Sequence, residues 1–528
     1  MEWKAIKSIR CGYADAQNYK NGQESGHFEA SFLTDRHLEQ LKARDVFFLI
    51  GEKGTGKTAY AIYLTYFSKG KYNSDITFVQ PTDYTDLLSL SKDAKLSVAD
   101  YSALWQIAFL TTLYRNCVVN CVSEDLRDHS ITKINDIISK FTFATGAIRL
   151  ADVFAILKNV DEFCIALNKL SKHGEDFSFS NAPVRAKINF LRQQFLEALA
   201  NLPAKLQFTL FVDGIDIRPD YLEFDSFIEC VSGLCDAVWI LNSSHLNLVA
   251  DRSFKIVLLV RPDILSNAGL QNPNLKTRDN SLLLSWIADY KVYRNCSLFQ
   301  MTDKLLAGQQ AELVKLPGEA WDHYFPFGIE NRVKGDLSDN PFINFLRHSF
   351  YKPRDILLYL ETMKNRWIET GSGDDDCFTF QVFRDRSIRK QYSDYLLGEV
   401  RDSLAFYYRV EEFEIFLRFF AFLGEHVDKR HREFSYDAFV QAYSDLLRYA
   451  DKNKIDLPVL FRTADILLQF LYELNILCFR INPARSKYPQ TRWCFRERSF
   501  ANIRPKVKSG CTYGLHYGIA RGLYDDIQ

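Results

Sequence analysis

VFFLIGEKGTGKT, residues Val46–Thr58, begins with five apolar residues and continues with eight residues of which three are glycine and the last two are lysine and threonine. An apolar run this short, rich in aromatics and opened by a β-branched residue, is typical of a buried strand. The next residues, AYAIYLTYFSKG, repeat apolar side chains at helical spacing and end at Gly70, a suitable helix C-cap. The sequence therefore predicts a strand, a glycine-rich loop and a helix in that order.

This loop has the residue types that bind phosphate. It matches the pattern G-x-x-x-x-G-K-[ST], for which a preceding strand and a following helix are the required context. Glycines leave the backbone N–H groups open to an anion, and the helix N-terminus adds a positive dipole. Lysine supplies a charge for the β and γ phosphates, and threonine supplies a hydroxyl for Mg²⁺. We predict a site for ATP and Mg²⁺ formed by Gly51, Gly54, Thr55, Gly56, Lys57 and Thr58; a glycine-rich turn without a ligand is the alternative.

A second segment, LQFTLFVDGID, supplies a carboxylate at the end of another apolar run. Its apolar core Phe208–Val212 predicts a strand that places Asp213 where an acid could hold Mg²⁺. The segment looks like a Walker B strand, although Gly214 stands where many AAA+ enzymes have the glutamate that activates water. The next carboxylate, Asp216, is then the candidate catalytic base. A strand that ends in an ordinary Asp-Gly turn is the alternative.

Two arginines occupy positions where they could meet a phosphate group. Arg261 ends the strand-like segment FKIVLLVRPDIL, where it faces either the γ phosphate or a neighbouring subunit's nucleotide, or else pairs with Asp263 or Asp216. Arg354 follows Pro353 in SFYKPRDILLYLE, at the start of an amphipathic helix. We therefore name both arginines as candidate catalytic residues.

Four segments, GEKGTGKTA, DGIDIRP, LLVRPDIL and YKPRDILLYL, together resemble the bacterial P-loop ATPases related to the STAND and AAA+ groups. The resemblance implies that Lys57 and Thr58 bind phosphate and Mg²⁺ and that Asp213 holds Mg²⁺. It also implies that Arg261 lies in the sensor-1 position and that Arg354 acts as sensor 2. Members of this group serve regulation, stress response, mobile elements and phage defence, so the resemblance supports ATPase activity more directly than a biological role.

The expected architecture is α/β: a parallel-sheet P-loop NTPase core with a helical insert, a helical lid and a C-terminal winged-helix module. The predicted divisions are an N-terminal packing segment at 1–44, an ATPase core at 45–305 with the insert at about 90–205, a lid at 306–410 and the C-terminal module at 411–528.

Five strands would complete the core sheet of this architecture. Besides the strand before the glycine loop, we expect strands at Asp75–Tyr84, near residues 208–213 and 255–260, and at Cys296–Met301.

The C-terminal module carries a local excess of positive charge. From Arg480 to Lys508 there are nine basic residues and one acid, in a chain whose 66 Lys and Arg balance its 66 Asp and Glu. Trp493 and Phe495 alternate with the charges, a pattern that can follow a nucleic-acid backbone. Packing against protein is the alternative. The residues expected to reach a partner from the tip of the wing are Arg485, Lys487 and Arg492.

Composition excludes several other classes of protein. Eleven cysteines without a CxxC pair indicate neither a disulfide framework nor a zinc module. No signal-peptide pattern and no run of about eighteen apolar residues is visible, so we expect a cytoplasmic protein without a membrane segment.

The leading functional hypothesis is an oligomeric ATP-hydrolysing switch that controls a separately encoded partner, in phage defence or stress response. A partner is expected because the sequence shows no second catalytic signature. The alternatives are a nucleic-acid-binding loader or transposition-type ATPase that uses the winged helix, and a nucleotide-locked scaffold with little turnover.

Overall fold

The structure is a computed structural model, and its description covers residues 2–20, 25–68, 70–93, 98–170, 182–249, 251–268, 278–312, 314, 316–330, 337–371, 374–404, 407, 412–427, 432–481, 490–500 and 502–524. The chain divides into two compact units. One consists of Met1–Asp35, Lys53–Gly56 and Leu284–Gln528, and the other of Arg36–Glu52 and Lys57–Leu283. We call them the C-terminal unit and the sheet unit. The first 35 residues are grouped with the C-terminal half, and the predicted domain divisions stay predictions.

The sheet unit is built on five parallel strands in the order β2-β3-β4-β1-β5. The strands are β1 Phe48–Ile50, β2 Ser74–Phe78, β3 Gln207–Asp213, β4 Ser253–Val260 and β5 Ser281–Leu283. Except at their first residues, β3 and β4 are buried throughout, which explains why their sequences read as continuous apolar runs. The predicted α/β class and parallel sheet are confirmed.

The order of the strands places β1 at a crossover point of the sheet. From β1 the chain continues to β2 at one edge, and β5 later pairs with the other side of β1. The register aligns Phe48 of β1 with Leu258 of β4, and Leu258 with Val212 of β3. The carboxyl ends of β1, β3 and β4 therefore lie at the same edge of the sheet, where ligands of open parallel sheets bind.

Helices fill the remainder of the sheet unit, most of them between β2 and β3. Its α-helices are Arg36–Lys42, Lys57–Ile62, Pro81–Asp93, Val98–Cys121, His129–Thr142, Leu150–Lys158, Val160–Asn168, Val184–Ala200, Phe224–Ile240 and Pro262–Asn267. π-helical turns follow at Tyr63–Phe67 and Leu241–His245, and short 3₁₀ turns lie at Glu124–Leu126 and Leu246–Leu248. The helix Val98–Cys121 packs between Phe224–Ile240 and Val184–Ala200, so it forms the centre of the helical layer.

Two strand predictions need correction. Cys296–Met301 is not a strand: the Cys296 thiol accepts the Phe299 N–H at 3.4 Å and caps the helix Ser297–Ala307. The buried residues of that helix recur with the 3.6-residue period of one helical face. A segment of six residues is too short to show this period. The fifth strand is instead β5, whose three residues are too few to show a pattern. The predicted strand Asp75–Tyr84 ends at Phe78, because Pro81 begins a helix.

The C-terminal unit is mainly helical. Its α-helices are Ser25–Ser31, Ser297–Ala307, Glu319–Tyr324, Pro341–His348, Pro353–Glu369, Phe380–Phe383, Arg386–Leu404, Glu412–His426, Tyr436–Asn453, Ala464–Glu473, Cys494–Glu497 and Tyr517–Tyr524. Short 3₁₀ turns lie at Ile6–Ser8, Ala16–Lys20, Tyr290–Asn295 and Val459–Phe461. The N-terminal segment is tied to this unit, since the Tyr324 hydroxyl donates to the Lys4 carbonyl at 2.8 Å and Trp3 stacks on His323.

Two small sheets complete the C-terminal unit. β6 Ile329–Glu330 pairs with β7 Leu337–Asp339. The second sheet is antiparallel in the order β10-β9-β11-β8, with β8 Glu433–Ser435, β9 Leu477–Ile481, β10 Gln490–Arg492 and β11 Thr512–Leu515. The predicted wing tip, with Arg485 and Lys487, lies outside the described residues, and the winged-helix assignment stays a prediction. No helix within the described ranges is both long and apolar enough to span a bilayer.

Candidate nucleotide-binding site

The glycine loop leaves β1 in a conformation that needs its glycines. Gly54 and Gly56 have φ angles of 85° and 90°, a region that side chains with a Cβ rarely enter. A Cβ on Gly56 would meet no heavy atom within 4 Å, so the backbone there borders open space. Gly51 continues the sheet, because its N–H donates to the Val260 carbonyl at 3.1 Å. At Gly56 the loop therefore has the open backbone that the close approach of an anion requires.

The last two residues of the motif begin the helix Lys57–Ile62. The ammonium group of Lys57 donates to the carbonyl oxygens of Gly51 and Glu52, at 2.8 and 3.1 Å. Lys57 thus folds back over the loop that it follows. Its hydrogen bonds there are to neutral acceptors, which an anionic ligand can replace at modest cost.

Thr58 joins the glycine loop to the end of β3. Its hydroxyl donates to a carboxylate oxygen of Asp213 at 2.5 Å, across 155 residues of sequence. β1 and β3 are not neighbours in the sheet, since β4 lies between them. The pairing of the two residues that the sequence assigned to Mg²⁺ is therefore a result of the tertiary fold.

Burial governs the acid–base behaviour of Asp213, which is 9% exposed. Desolvation raises the pKa of its carboxyl group, and the nearby Asp216 adds to the increase. The Thr58 hydrogen bond and the charge of Lys57 act in the opposite direction, but the net pKa lies above the ordinary aspartate value. A carboxylate in these surroundings is stabilised by any additional cation that binds beside it.

The residue after Asp213 can only be glycine. Gly214 has a φ of 87°, and a Cβ on it would lie 2.7 Å from the backbone oxygen of Val79. A glutamate at this position is sterically excluded, because the neighbouring atom belongs to backbone and cannot move aside. Asp216, which is partly exposed two residues later, is then the nearest carboxylate on this segment.

Arg261 is held by an internal ion pair. Its guanidinium makes two parallel hydrogen bonds to Asp263, at 3.0 and 2.6 Å, and its side chain is only 4% exposed. This is one of the two pairings that the sequence left open as an alternative to phosphate contact. Arg261 lies directly after β4 and directly before the helix that begins at Pro262.

Arg354 begins the helix Pro353–Glu369, as the sequence predicts, and lies against the tip of the glycine loop. The Cβ that Gly54 lacks would be 3.4 Å from the Cβ of Arg354. The guanidinium contacts the Ala14 carbonyl at 3.0 Å and Glu399 at 3.4 Å. Glu399 belongs to the helix Arg386–Leu404. One turn further along that helix, Asp402 pairs at 2.6 Å with Lys53, which belongs to the loop tip. Two carboxylates of Arg386–Leu404 thus hold two cations near the loop.

Sequence reasoning missed Trp286. Its indole N–H donates to the carbonyl oxygen of Thr55 at 2.9 Å, and both residues are buried. No motif marks this tryptophan, which follows β5 in the segment SLLLSWIAD. The one sequence signal is a large aromatic side chain just beyond a strand end, where ligand sites of parallel sheets occur.

The basic residues of the C-terminal module mostly have internal partners. Arg492 pairs with Glu497 at 2.9 Å and Arg504 with Glu473 at 2.6 Å, while Arg480 pairs with Glu433. Arg496 donates to the Tyr351 hydroxyl, and Arg498 donates to the Ile503 carbonyl. Lys506 and Lys508 are exposed. Three of these basic residues are therefore paired with glutamates, and two more donate to neutral acceptors.

Within the part of the chain that the structure describes, no three His, Cys, Asp or Glu residues gather as a metal-binding group. A site made of Thr58 and Asp213 differs from such a group, because Mg²⁺ usually binds one or two protein oxygens and completes its shell with water and phosphate. Neither a scan against protein-family models nor a search of curated proteins gave a match to this chain.

Proposed function

We propose that this chain binds and hydrolyses a nucleoside triphosphate, ATP in the first instance, in a Mg²⁺-dependent reaction. The observation that carries the proposal is the 2.5 Å contact between Thr58 and Asp213. The contact joins the two residues that the sequence assigned to Mg²⁺, and it lies at the edge of the sheet where ligands of open parallel sheets bind.

The residues fit Mg²⁺ chemically. A hydroxyl and a carboxylate are the hard oxygen ligands that this ion prefers. Asp213 is an acid whose pKa is raised by burial, so a divalent cation would favour its charged form. When bound, Mg²⁺ supplies charge neutralisation at the β and γ phosphate oxygens.

The roles of the protein groups follow from their positions. The N–H groups of the glycine loop bind phosphate oxygens, and the Lys57 ammonium exchanges its two carbonyl partners for the phosphates. Thr58 and Asp213 hold the metal ion. Asp216 accepts hydrogen bonds from the attacking water and orients it.

A proposal for the biological role rests on the resemblance to the STAND and AAA+ groups. The STAND and AAA+ groups use nucleotide state to control assembly, so we propose an oligomeric switch acting on a separately encoded partner. The described contacts of Arg261 support an internal role for this arginine, and those of Arg354 leave it beside the loop tip. Sedimentation with ATP and without it, and identification of proteins that co-purify, test this part.

The nucleotide proposal is tested by direct binding. We expect wild-type protein to bind ATP and inorganic tripolyphosphate in calorimetry, with affinity that depends on Mg²⁺. Thr58→Ala should remove most of the Mg²⁺ dependence while binding without the metal persists, since the backbone cradle is intact. Thr85→Ala, which removes an exposed hydroxyl elsewhere in the sheet unit, is the matched control. Wild-type protein that binds neither compound would contradict the proposal.

A further inference from the structure

The glycine loop contains one peptide bond whose orientation is set by a side chain from outside the motif. We propose that Trp286 is a positioning residue for phosphate binding: its indole N–H holds the peptide between Thr55 and Gly56 so that the Gly56 N–H points into the phosphate cradle. This inference rests on the proposed function of the loop.

The Thr55 carbonyl and the Gly56 N–H belong to the same peptide group. A trans peptide is planar, and its C=O and N–H bonds point in opposite directions. The structure has no cis peptide bond among its described residues. Whatever holds the Thr55 carbonyl therefore also aims the Gly56 N–H to the opposite side. Trp286 holds that carbonyl, at 2.9 Å.

The need for such a hold comes from the glycine itself. Gly56 has a φ of 90° and no side chain, so the peptide before it can rotate at low cost. Rotation would turn a carbonyl oxygen toward the phosphates and replace an attractive dipole by a repulsive one. A hydrogen bond from a rigid, buried indole favours the productive orientation before the ligand arrives.

Burial makes the contact specific. Trp286 is 8% exposed and Thr55 is 5% exposed, so neither polar group can turn to water. Leaving a buried N–H or C=O without a hydrogen bond raises the free energy of the folded state. The indole N–H and the Thr55 carbonyl are therefore expected to stay paired. A purely space-filling tryptophan would not need its nitrogen to face a loop carbonyl.

The experiment separates the hydrogen bond from the bulk of the side chain. Incorporating benzothienylalanine at position 286 replaces the indole N–H by sulfur and keeps the two-ring shape. Two matched controls exist in this chain. The Trp105 N–H donates to the Cys230 carbonyl at 3.1 Å, and neither residue belongs to the glycine loop. Among the described residues, the Trp367 nitrogen has no hydrogen-bond acceptor.

The readout is the dissociation constant of inorganic tripolyphosphate, measured by calorimetry with each variant, with the melting temperature recorded in parallel. Tripolyphosphate reports on the cradle alone, since it has no base or sugar. We expect about tenfold weaker binding for the position 286 variant, in line with the loss of one oriented donor. The position 105 variant should melt at a lower temperature with unchanged binding, and the position 367 variant should match wild type in both.

Two results would overturn the inference. Equal tripolyphosphate affinity in wild type and the position 286 variant would leave Trp286 a packing residue while the proposed function stands. Equal losses at positions 286 and 105 would show that lowered stability, not peptide orientation, weakens binding. If wild type itself fails to bind tripolyphosphate, the proposed function fails, and the inference fails with it.

Discussion

Lys57 and the arginines of the C-terminal module are both cationic groups that the sequence offers as anion contacts, yet their surroundings differ. Lys57 donates to two backbone carbonyls of its own loop. Arg480, Arg492 and Arg504 each pair with a glutamate. The two hydrogen bonds that Lys57 makes to its loop are to neutral acceptors, whereas moving one of these arginines separates it from a carboxylate. Availability for a ligand therefore depends on the acceptor that a cation already has, and the number of basic residues is a poor guide.

The largest expected effect comes from removing the cation of the glycine loop. Lys57→Ala should weaken ATP and tripolyphosphate binding by at least about a hundredfold, because the phosphates lose a charge-assisted donor. Calorimetry measures the loss. Lys71→Ala, at an exposed lysine beyond the same helix, should leave binding unchanged. Binding by Lys57→Ala at wild-type affinity would contradict a role for Lys57 as a phosphate contact.

Next in size is the carboxylate beside the predicted metal site. Asp216→Asn should retain ATP binding and lose about a hundredfold in kcat, as expected when the group that orients water no longer accepts its proton. Steady-state hydrolysis and calorimetry on the same sample separate the two steps. Asp220→Asn, an exposed acid further along the loop, is the control. Wild-type turnover in Asp216→Asn would assign the base to another residue.

Arg261 tests the other kind of cation in this comparison, a buried arginine that is already paired with a carboxylate. Arg261→Ala should lower the free energy of unfolding by about 3 kcal/mol, because the change breaks a largely enclosed ion pair and removes the guanidinium from the Asp263 carboxylate. The double variant Arg261→Ala with Asp263→Ala should cost less than the sum of the single changes. Denaturant unfolding measures all three. A stable Arg261→Ala protein with impaired hydrolysis would instead support a role at the phosphate.

A buried histidine allows a pH test in the C-terminal unit. The His516 ring donates from Nε2 to the Ser349 carbonyl and accepts the Gly518 N–H at Nδ1, so both nitrogens are satisfied in the neutral form. Burial lowers its pKa to about 4, with smaller effects from the positive charges of Lys352 and Arg432. The unfolded state therefore takes up the proton first, and stability falls as pH drops from about 6.5 toward 4.

By linkage, His516 should reduce the free energy of unfolding by about 2 kcal/mol between pH 7 and pH 5. Urea unfolding at several pH values measures the slope. His516→Gln should be less stable at pH 7 and show a shallower decline in acid. The same slope in both proteins would assign the acid sensitivity to other groups, of which buried His348, with a pKa lowered to about 3, is the first candidate.

The smallest effect is expected from the exposed basic residues. The double variant Lys506→Glu with Lys508→Glu should have an ATP turnover within about twofold of wild type. Both lysines are exposed, and exposed charges contribute little to the stability of the fold that carries the site. Fluorescence anisotropy with duplex DNA, single-stranded DNA and RNA at two salt concentrations tests the nucleic-acid alternative. Micromolar binding whose salt slope falls by about one unit for each removed lysine would revive it.

Prediction from sequence succeeded where the signal is local. β3 and β4 are long apolar runs, and the helix of Arg354 begins at a proline, so their positions could be read from short windows. It failed for β5 and for Cys296–Met301. Three residues carry no period, and a short apolar segment is compatible with either a strand or the first turns of a helix.

In the candidate site, local sequence patterns likewise do not show which side chains contact each other. The sequence offered pairing of Arg261 with Asp263 as one alternative to phosphate contact. It could not decide between them, because two side chains separated by two residues can make contact but need not. Trp286 could not be found, since its contact with Thr55 spans 231 residues and has no motif. The steric exclusion of a side chain at Gly214 likewise depends on Val79, which belongs to another strand end.

By itself, the sequence determined the strand, glycine loop and helix around residues 46–70, because backbone periodicity and the special freedom of glycine are properties of neighbouring residues. Only the tertiary structure decided that Thr58 meets Asp213, that Trp286 holds the Thr55 carbonyl and that most of the described C-terminal arginines are already engaged. The physical reason is that a hydrogen bond or ion pair depends on distances of about 3 Å between groups far apart in the chain, and strand order in the folded sheet is what sets those distances.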